Sequence, residues 1–247
     1  MSNKNSHERY ARQIILPEIG PDGQELLRVA AVLVIGAGGL GSPALLYLAA
    51  AGVGRIGIVE EDVVELSNLN RQILYRSKDV GKPKVLVAAQ RLRELNPEII
   101  IDAYQKRFLG SGAYELASKY DLLLDASDNF ATRSLVNEVA VATKKPLVHG
   151  SVRQFEGQAT VFNYRGGPCY RCLFPELPNG KATTADRAIV GPVPGVIGAI
   201  MANEALKIIL QIGESLSGRL LLYDALEMDF RFLKVEKRES CPVCGRW

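Results

Sequence analysis

The stretch "VLVIGAGGLGSPALLYLAAAGVGRIGIVEED", residues 32–62, decides the fold class. An apolar, β-branched run leads into a G-x-G-x-x-G loop at the start of an alanine- and leucine-rich helix, and this loop contains Gly36, Gly38, Gly39 and Gly41. An acidic cluster that begins at Glu60 closes the next strand, where the carboxylate that binds a ribose is expected. Because free N–H groups at a helix N-terminus accept any phosphate, the pattern predicts a phosphate-bearing ligand without distinguishing NAD from other nucleotides. The alternative is a tight strand-to-helix turn that binds no ligand.

Strands and helices alternate along the first half of the chain. Strand-like runs lie at 31–36, 55–61, 99–104 and 121–126, and helical segments lie near 42–51, 82–95, 112–119 and 129–142. This alternation predicts a doubly wound, Rossmann-like α/β fold with a mostly parallel sheet, whose ligands bind at the carboxyl ends of the strands. After a further buried strand, "PLVHGSV", an antiparallel C-terminal extension is predicted from runs at 157–164, 218–226 and 230–236.

A chain of 247 residues is long enough for one large α/β domain. We expect a single domain over 1–247, with a helical segment at 1–30, a nucleotide-binding half at 31–152 and a second half at 153–247. The stretch "PELPNGKATTADRAIVGPVPG" at 175–195 is rich in Pro, Gly and Thr and has no periodicity, which predicts a long, mobile loop. The apolar segment 195–212 predicts a core helix.

Composition and charge exclude several classes of protein. The chain is 47% hydrophobic and 23% charged, and its net charge of +3 does not predict a nucleic-acid surface. The first residues, "MSNKNSHERY", lack the apolar core of a signal peptide. The longest apolar tracts are short and are interrupted by Gly or Pro, so no membrane span is predicted. We expect a cytoplasmic protein with no membrane and no stable nucleic-acid partner.

All four cysteines lie in two C-x-x-C pairs, and these are Cys169 with Cys172 and Cys241 with Cys244. A disulfide scaffold is disfavoured in a chain of this size without a secretion signal. A thioredoxin-type redox pair explains one C-x-x-C but not two. Four thiolates complete a tetrahedral Zn²⁺ site and leave no open position for substrate. The favoured interpretation is a structural zinc ion that joins two distant segments.

Polar residues of the motif "SNLNRQ" (67–72) follow the acidic strand end. Ser67 is a candidate cap for a short helix, and in that case Asn68 and Arg71 are solvated loop residues. Their position favours a second interpretation, because residues just beyond this strand end are expected over the phosphate pocket. An arginine there clamps phosphate oxygens through two hydrogen bonds.

Two further motifs lie at helix starts. In "GKPK" (81–84), Pro83 suits the first turn of a helix, but Lys82 and Lys84 lie at the end where the helix dipole disfavours cations. These lysines are either surface residues or cations that a bound polyphosphate neutralises. In "LLLDASDN" (122–129), Asp128 is either the N-cap of the next helix or the carboxylate that holds the magnesium ion of a nucleotide.

Together these residues resemble the MoeB/ThiF/HesA family, the bacterial relatives of ubiquitin-activating enzymes. The resemblance covers nearly the whole chain through motifs in the family's order, which are "RYARQI" (9–14), "GAGGLGS" (36–42), "SNLNRQ", "GKPK", "SDN", "CYRC" and "CPVC". Members adenylate the C-terminal glycine of a small ubiquitin-fold sulfur carrier protein, which ends in Gly-Gly, and they release pyrophosphate. The resemblance therefore implies an adenylyltransferase whose second half binds the carrier.

The family's site residues transfer to matching positions of this chain. The resemblance implies that the glycine loop cradles the phosphates of ATP and that Glu60 binds the ribose. It implies further nucleotide contacts from Asn68, Arg71, Gln72, Lys84, Asp128 and Asn129, and it assigns Mg²⁺ to Asp128. Catalytic roles are implied for Arg71, Lys84, Asp128 and Arg12. Of these, Arg12 is implied to enter the active site of the partner subunit in a homodimer.

The residue types suit this chemistry. A terminal carboxylate, with a reference pKa of about 3.3–3.7, is already an ionised nucleophile at pH 7 and needs no general base. The two histidines, His7 and His149, have no accompanying G-x-S-x-G, so a hydrolytic triad is not expected. The reaction needs charge neutralisation on the α-phosphate and on the departing pyrophosphate, which Arg71, Lys84 and Mg²⁺ on Asp128 supply. ATP is therefore favoured over NAD.

One departure from the family pattern concerns sulfur transfer. Relatives that form a covalent intermediate with their carrier use an additional cysteine, in one branch within the loop before "GPV". Here that loop reads "ATTADRAIV", with Thr184 near the expected position. Every cysteine is assigned to zinc, and no rhodanese-like domain is expected after Trp247. We therefore expect a separate sulfur donor, either a rhodanese or a cysteine desulfurase.

Three alternative functions stay open at this point. The first is adenylation of another substrate, a peptide or a tRNA base, by the same fold. The second is an NAD(P)-dependent Rossmann oxidoreductase, which requires a hydride-relay residue. The third is a carrier-binding module with a degenerate site, and a measurable ATP–pyrophosphate exchange excludes it.

Overall fold

The computed structural model describes residues 8–176 and 188–245. Its strands are β1 (Ala31–Ile35), β2 (Arg55–Val59), β3 (Ile100–Tyr104), β4 (Leu122–Asp125), β5 (Leu147–Arg153), β6 (Glu156–Phe162), β7 (Arg219–Asp224) and β8 (Asp229–Lys234). Its helices are α1 (Ala11–Ile14), α2 (Gly20–Val29), α3 (Gly41–Ala51), α4 (Lys84–Leu95), α5 (Gly110–Ser118), α6 (Phe130–Ala142), α7 (Tyr170–Leu173) and α8 (Pro192–Leu210). Two short 3-10 turns lie at Leu66–Asn68 and Ser77–Asp79.

The strands form one sheet in the order β3-β2-β1-β4-β5-β6-β7-β8. Neighbours from β3 to β5 are parallel, and the pairs from β5 to β8 are antiparallel. This confirms the predicted doubly wound, mostly parallel sheet with an antiparallel C-terminal extension. The chain order reverses between β1 and β4, so a crevice opens beyond their carboxyl ends, where ligands bind in sheets of this kind.

The central strands are buried on both faces, which explains their continuous apolar sequence. In β1, Val32 and Val34 pack into the core under α3, α4 and α8, while Leu33 packs into the core under α5 and α6. All three side chains are fully buried. Because neither face meets water, the strand shows no alternation of polar and apolar residues.

Helix α8 begins earlier than the sequence predicts. It starts at Pro192 rather than at 195 because Pro is favoured in the first turn of a helix. The last residues of the predicted loop at 175–195 are therefore helical. The middle of that loop, 177–187 with Thr184, lies outside the described residues, so its predicted mobility is not tested.

The same helix is long and apolar enough to cross a membrane, judged by length and composition alone. In this fold, however, it packs against β5, β6 and α3. Val193, Ile197 and Met201 are fully buried in the core. A Cβ on Gly150 of β5 would lie only 2.3 Å from the Met201 sulfur, which shows how closely helix and sheet approach. The burial pattern is that of a core helix, as the sequence predicts.

Candidate active site

The glycine loop between β1 and α3 has two kinds of glycine. Gly36 has a φ of +98°, and a Cβ there would lie 2.7 Å from the carbonyl oxygen of Ala126. A Cβ on Gly41 would lie 2.2 Å from the carbonyl oxygen of Gly36. At Gly38, by contrast, the nearest atom is Nε2 of Gln72, at 3.6 Å from the Cβ position. Packing within the chain thus accounts for Gly36 and Gly41, whereas Gly38 leaves the backbone open to close approach by a ligand.

Helix α3 presents an uncompensated N-terminus to the crevice. No side chain caps it, and its first turn contains no acidic residue. The hydroxyl of Ser42 in this turn is buried and finds no hydrogen-bond partner among the described residues. The positive end of the helix dipole and its free N–H groups therefore favour an anionic ligand at this position.

Glu60 and Tyr75 hold the glycine loop from two sides. The Glu60 carboxylate accepts hydrogen bonds from the N–H groups of Ala37 and Asp62, both at 3.0 Å. The Tyr75 hydroxyl donates to the Ala37 carbonyl oxygen at 2.7 Å, and burial raises the pKa of this tyrosine. Sequence reasoning missed Tyr75, although it lies only three residues beyond "SNLNRQ".

The motif "SNLNRQ" does not use Ser67 as a helix cap. Its 3-10 turn is capped by Glu65, and the Asn68 side-chain oxygen accepts the Glu65 N–H at 3.2 Å. Asn68 is buried, so the interpretation as a solvated loop residue is wrong for it. The prediction that Asn68 contacts ATP is not tested by these contacts.

Arg71 and Gln72 lie against the glycine loop. The Arg71 Cγ atom is 3.6 Å from the Cβ position of Gly39, while its guanidinium donates to the Ser67 carbonyl oxygen at 2.9 Å. Gln72 is buried, and its Oε1 atom has no hydrogen-bond partner within the described part of the chain. The arrangement brings one cation and one free amide oxygen to the edge of the candidate phosphate pocket.

Lys84 is the first residue of α4, and Pro83 is the N-cap rather than part of the first turn. Its side chain is 7% exposed, and its Nζ atom lies 3.2 Å from a carboxylate oxygen of Asp62. Lys82 lies outside the helix and pairs with Asp79 at 3.3 Å. Lys84 is thus a buried cation at a helix N-terminus, where the dipole opposes it, and a bound polyphosphate would remove this conflict.

Asp128 is not the residue that caps α6. Asn129 is the N-cap of α6, because its Oδ1 atom accepts the Thr132 N–H at 2.9 Å. The interpretation of Asp128 as the N-cap is therefore wrong. Its carboxylate is exposed just beyond the carboxyl end of β4, with a long hydrogen bond of 3.4 Å from the Asn129 amide. An exposed carboxylate beyond the carboxyl end of a parallel strand is a suitable ligand for Mg²⁺.

A buried carboxylate and histidine lie behind Asp128, and sequence reasoning missed them. Oδ2 of Asp125 is 2.9 Å from Nδ1 of His149, and both side chains are 1% exposed. Burial by itself raises the pKa of Asp125, but hydrogen bonds from His149 and Ser127 and the charge of Arg133 outweigh it, so the pKa lies below its ordinary value. The pairing follows from the parallel register, which places Asp125 directly beside His149.

The four cysteines converge in one buried cluster. Their sulfur atoms all lie within 4.8 Å of one another, and all four are free thiols. The closest pairs are 3.4, 3.6 and 4.0 Å apart. A tetrahedral ion with Zn–S bonds of about 2.3 Å has S–S edges of about 3.8 Å, so the cluster fits zinc. It joins the segment around α7 to the tail beyond β8, as the sequence predicts for a structural ion.

Arg12 lies at the opposite end of the sheet from the glycine loop of its own chain. The neighbouring Gln13 donates to the Ala51 carbonyl oxygen at the end of α3, at 3.1 Å, and Tyr10 accepts a hydrogen bond from Asn96 at 2.7 Å. The 11 residues of α3 span about 16 Å from this point to the crevice. The structure therefore brings Glu60, Arg71 and Gln72 to the glycine loop of the same chain, but not Arg12.

Comparison with known proteins fits this geometry. A family model described as the ThiF family matches residues 10–243. The chain belongs to the ThiF family. Membership confirms the resemblance that the motifs predict. Three of these motifs, "GAGGLGS", "SNLNRQ" and "SDN", follow the carboxyl ends of β1, β2 and β4.

Curated relatives of this ThiF-family chain include proteins named as adenylyltransferases. A sulfur carrier protein adenylyltransferase of Thermus thermophilus is 54% identical over 98% of this chain and 92% of the relative. The SAMP-activating enzyme E1 of Haloferax volcanii is 48% identical over 96% of this chain and 88% of the relative. The adenylyltransferase and sulfurtransferase MOCS3 of Anopheles gambiae is 50% identical over 98% of this chain, which spans only 56% of that relative. The predicted enzyme class is thereby confirmed.

Solved structures share the fold. E. coli MccB, in a crystal structure with MccA-N7isoASN, has a TM-score of 0.85 and 24% identity. The match covers 98% of this chain and 76% of the MccB chain. At this level of identity the likeness shows a common fold and nothing about substrate.

Proposed function

We propose that this chain uses ATP to adenylate the C-terminal glycine carboxylate of a ubiquitin-like sulfur carrier protein, with release of pyrophosphate. The observation that carries the proposal is that three groups suited to a nucleotide lie beyond the carboxyl ends of parallel strands. These are the uncapped N-terminus of α3 beyond β1, the buried Lys84 paired with Asp62 beyond β2, and the exposed carboxylate of Asp128 beyond β4. The names of the Thermus and Haloferax relatives support this substrate class.

The residues of the crevice suit in-line attack by a carboxylate. The attacking group is ionised at neutral pH, so no general base is required. The glycine loop is proposed to hold the phosphates. Glu60 is proposed to bind the ribose, because its carboxylate can accept further hydrogen bonds besides those from the N–H groups of Ala37 and Asp62. Lys84 and Arg71 neutralise charge on the α-phosphate and pyrophosphate, while Asp128 is proposed to hold Mg²⁺, which adds charge neutralisation when bound.

A homodimer is part of the proposal. Arg12 is too far from its own glycine loop to contribute there, so a role in catalysis requires a second subunit. Large apolar side chains are exposed on α3, on α4 and on the segment between β2 and α4, and these are Tyr47, Val63, Leu66, Ile73 and Leu86. Because α3 packs against α4, these residues belong to neighbouring surfaces that suit burial against another copy.

The second half, 153–247, is proposed to bind the carrier. Its last strand, β8, forms the edge of the sheet, and every residue of this strand is exposed. Phe230, Phe232 and Leu233 give it a large apolar surface of the kind that marks protein contacts.

Sulfur loading is proposed to fall to a separate donor. The sequence contains four cysteines, and all four lie in the buried cluster. No further thiol is available for a covalent link to the carrier. A cytoplasmic location, where sulfur carriers and ATP are both present, belongs to the same proposal.

ATP–pyrophosphate exchange with a panel of carriers that end in Gly-Gly tests the proposal. We expect exchange with one or more carriers, and none when the same carrier lacks its terminal glycine. Exchange with a peptide or tRNA in place of the carrier would favour the alternative substrates. Absence of exchange, together with binding of a nicotinamide cofactor, would replace the proposal with the oxidoreductase alternative.

A further inference from the structure

Ser127, the residue directly before Asp128, is held at all three of its polar groups. Its N–H and its hydroxyl donate to one oxygen of Asp125, at 3.1 and 2.6 Å. Its carbonyl oxygen accepts hydrogen bonds from Nε and Nη2 of Arg133, at 3.3 and 3.2 Å. The backbone that leads into Asp128 is therefore fixed from both sides.

The Asp125 carboxylate that holds Ser127 is itself held by His149. Its second oxygen lies 2.9 Å from Nδ1 of His149, in an environment that includes the rings of Phe162 and Tyr170. The other ring nitrogen of His149 is buried and finds no partner among the described residues. Loss of the histidine would leave the second oxygen of this buried carboxylate without a partner, which is unfavourable, so Asp125 would no longer be held in its present orientation.

This buried pair is not needed to begin helix α6. Asn129 caps the helix by itself, through its hydrogen bond to the Thr132 N–H. Apolar residues of similar volume often replace a buried charged pair without loss of stability, so the pair is not required merely to fill the core. The polar pair instead fixes the position of Ser127, and thereby the direction in which the backbone runs from the end of β4 to Asp128.

We propose that Asp125 and His149 are positioning residues which, through Ser127, hold Asp128 where it meets the magnesium ion of the nucleotide. This inference rests on the proposed function, because it assumes that Asp128 holds that ion. His149 touches neither nucleotide nor carrier in this scheme. Partners that orient a metal ligand usually change metal affinity by about 10- to 100-fold when they are removed.

The test measures metal binding rather than turnover. Mn²⁺ is titrated into the enzyme–ATP complex and its affinity is measured by electron paramagnetic resonance, with ATP affinity in EDTA measured separately. We expect His149→Leu to weaken Mn²⁺ binding by about tenfold or more and to leave metal-free ATP binding unchanged. His149→Asn, whose amide can donate from the place of Nδ1, should restore most of the Mn²⁺ affinity.

Two controls separate positioning from general destabilisation. Tyr120→Phe removes a buried hydroxyl that donates to Asp102 at 2.9 Å on β3, away from the crevice, and it should leave Mn²⁺ affinity unchanged. In an Asp128→Asn background, His149→Leu should have no additional effect on Mn²⁺ affinity. If His149 acts only through Asp128, the effects of the two substitutions do not add.

The outcomes distinguish this inference from the proposed function. If the wild-type protein binds Mn²⁺ and ATP but folded His149→Leu binds Mn²⁺ equally well, the positioning role is refuted and the proposed function stands. An additive loss in the Asp128→Asn background also refutes it. If the wild-type protein shows no metal-dependent ATP binding, both fail together.

Discussion

Replacing Lys84 by methionine separates the charge of this side chain from its bulk. Methionine keeps the buried hydrocarbon part of the lysine side chain. Asp62, which loses its ion-pair partner, is 63% exposed and stays hydrated, so loss of the ion pair costs at most about 1 kcal/mol. The positive end of the α4 dipole opposes the lysine charge by about 0.3–1 kcal/mol, which the substitution recovers. Because these effects offset each other, the free energy of unfolding should change by less than about 1 kcal/mol.

Catalysis should respond far more strongly. A buried donor aimed at charge that develops in the transition state contributes about 3 kcal/mol, which corresponds to a factor of about 100 or more in rate. We therefore expect Lys84→Met to reduce ATP–pyrophosphate exchange at least about 100-fold while urea unfolding stays close to that of the wild type. Exchange is measured at saturating carrier and ATP.

Lys82→Met is the matched control, since Lys82 belongs to the same motif but its side chain is 56% exposed and lies outside the helix. Its partner Asp79 keeps a second ion pair with Arg91, so exchange should stay within about twofold of the wild type. Exchange by folded Lys84→Met within about threefold of the wild type would refute the reasoning, and so would equal losses in both variants.

Asp128→Asn preserves side-chain shape but weakens a magnesium ligand, so exchange should fall about 100-fold; a folded variant with normal exchange would leave Asp128 without the proposed role. Replacing Cys241 and Cys244 by serine should abolish both the single zinc ion per chain, measured by elemental analysis, and cooperative folding, because metal-binding energy becomes folding energy. A folded, active and zinc-free wild-type preparation would contradict this. Arg12→Ala and Lys84→Ala should each be nearly inactive, but an equal mixture contains half heterodimers with one intact site each, so about a quarter of the activity should return after subunit exchange. No recovery would remove Arg12 from the partner's site. Intact-mass analysis after reaction with ATP and carrier should show carrier adenylate only, and a stable covalent enzyme–carrier adduct would disprove a separate sulfur-loading step.

The strands of the sheet were predictable because their signal is local. Apolar runs end at Gly or acidic residues, and β1, β2 and β4 lie where those runs lie. The first and last residues of the helices were harder to predict from the sequence. Asn129, not Asp128, caps α6, and either residue type can cap a helix, so a shift of one residue in the helix start decides which side chain stays free.

The pair of Asp125 and His149 could not be found by local reasoning. The two residues are 24 positions apart, and His149 by itself resembles an isolated core histidine. Only the parallel register of β4 and β5 brings them side by side. Tyr75 was not predicted for the same reason, because its hydrogen-bond partner Ala37 is 38 positions away. Sequence motifs identify the groups that face a ligand, whereas the groups that hold those residues depend on the assembled sheet.

The cysteine cluster also bears on how the edge strand β8 behaves before it meets a partner. An unpaired edge normally frays, and any protein that docks on it must first offset the entropy of ordering it. Here the chain beyond Lys234 returns to the protein interior at Cys241, where it meets Cys169 at 3.6 Å. With a metal ion closing that cluster, β8 is tethered just past its end as well as paired along its length. On the proposal that the cluster holds zinc and that β8 binds the carrier, the ion would raise the affinity for the carrier by keeping this strand ordered before the carrier binds.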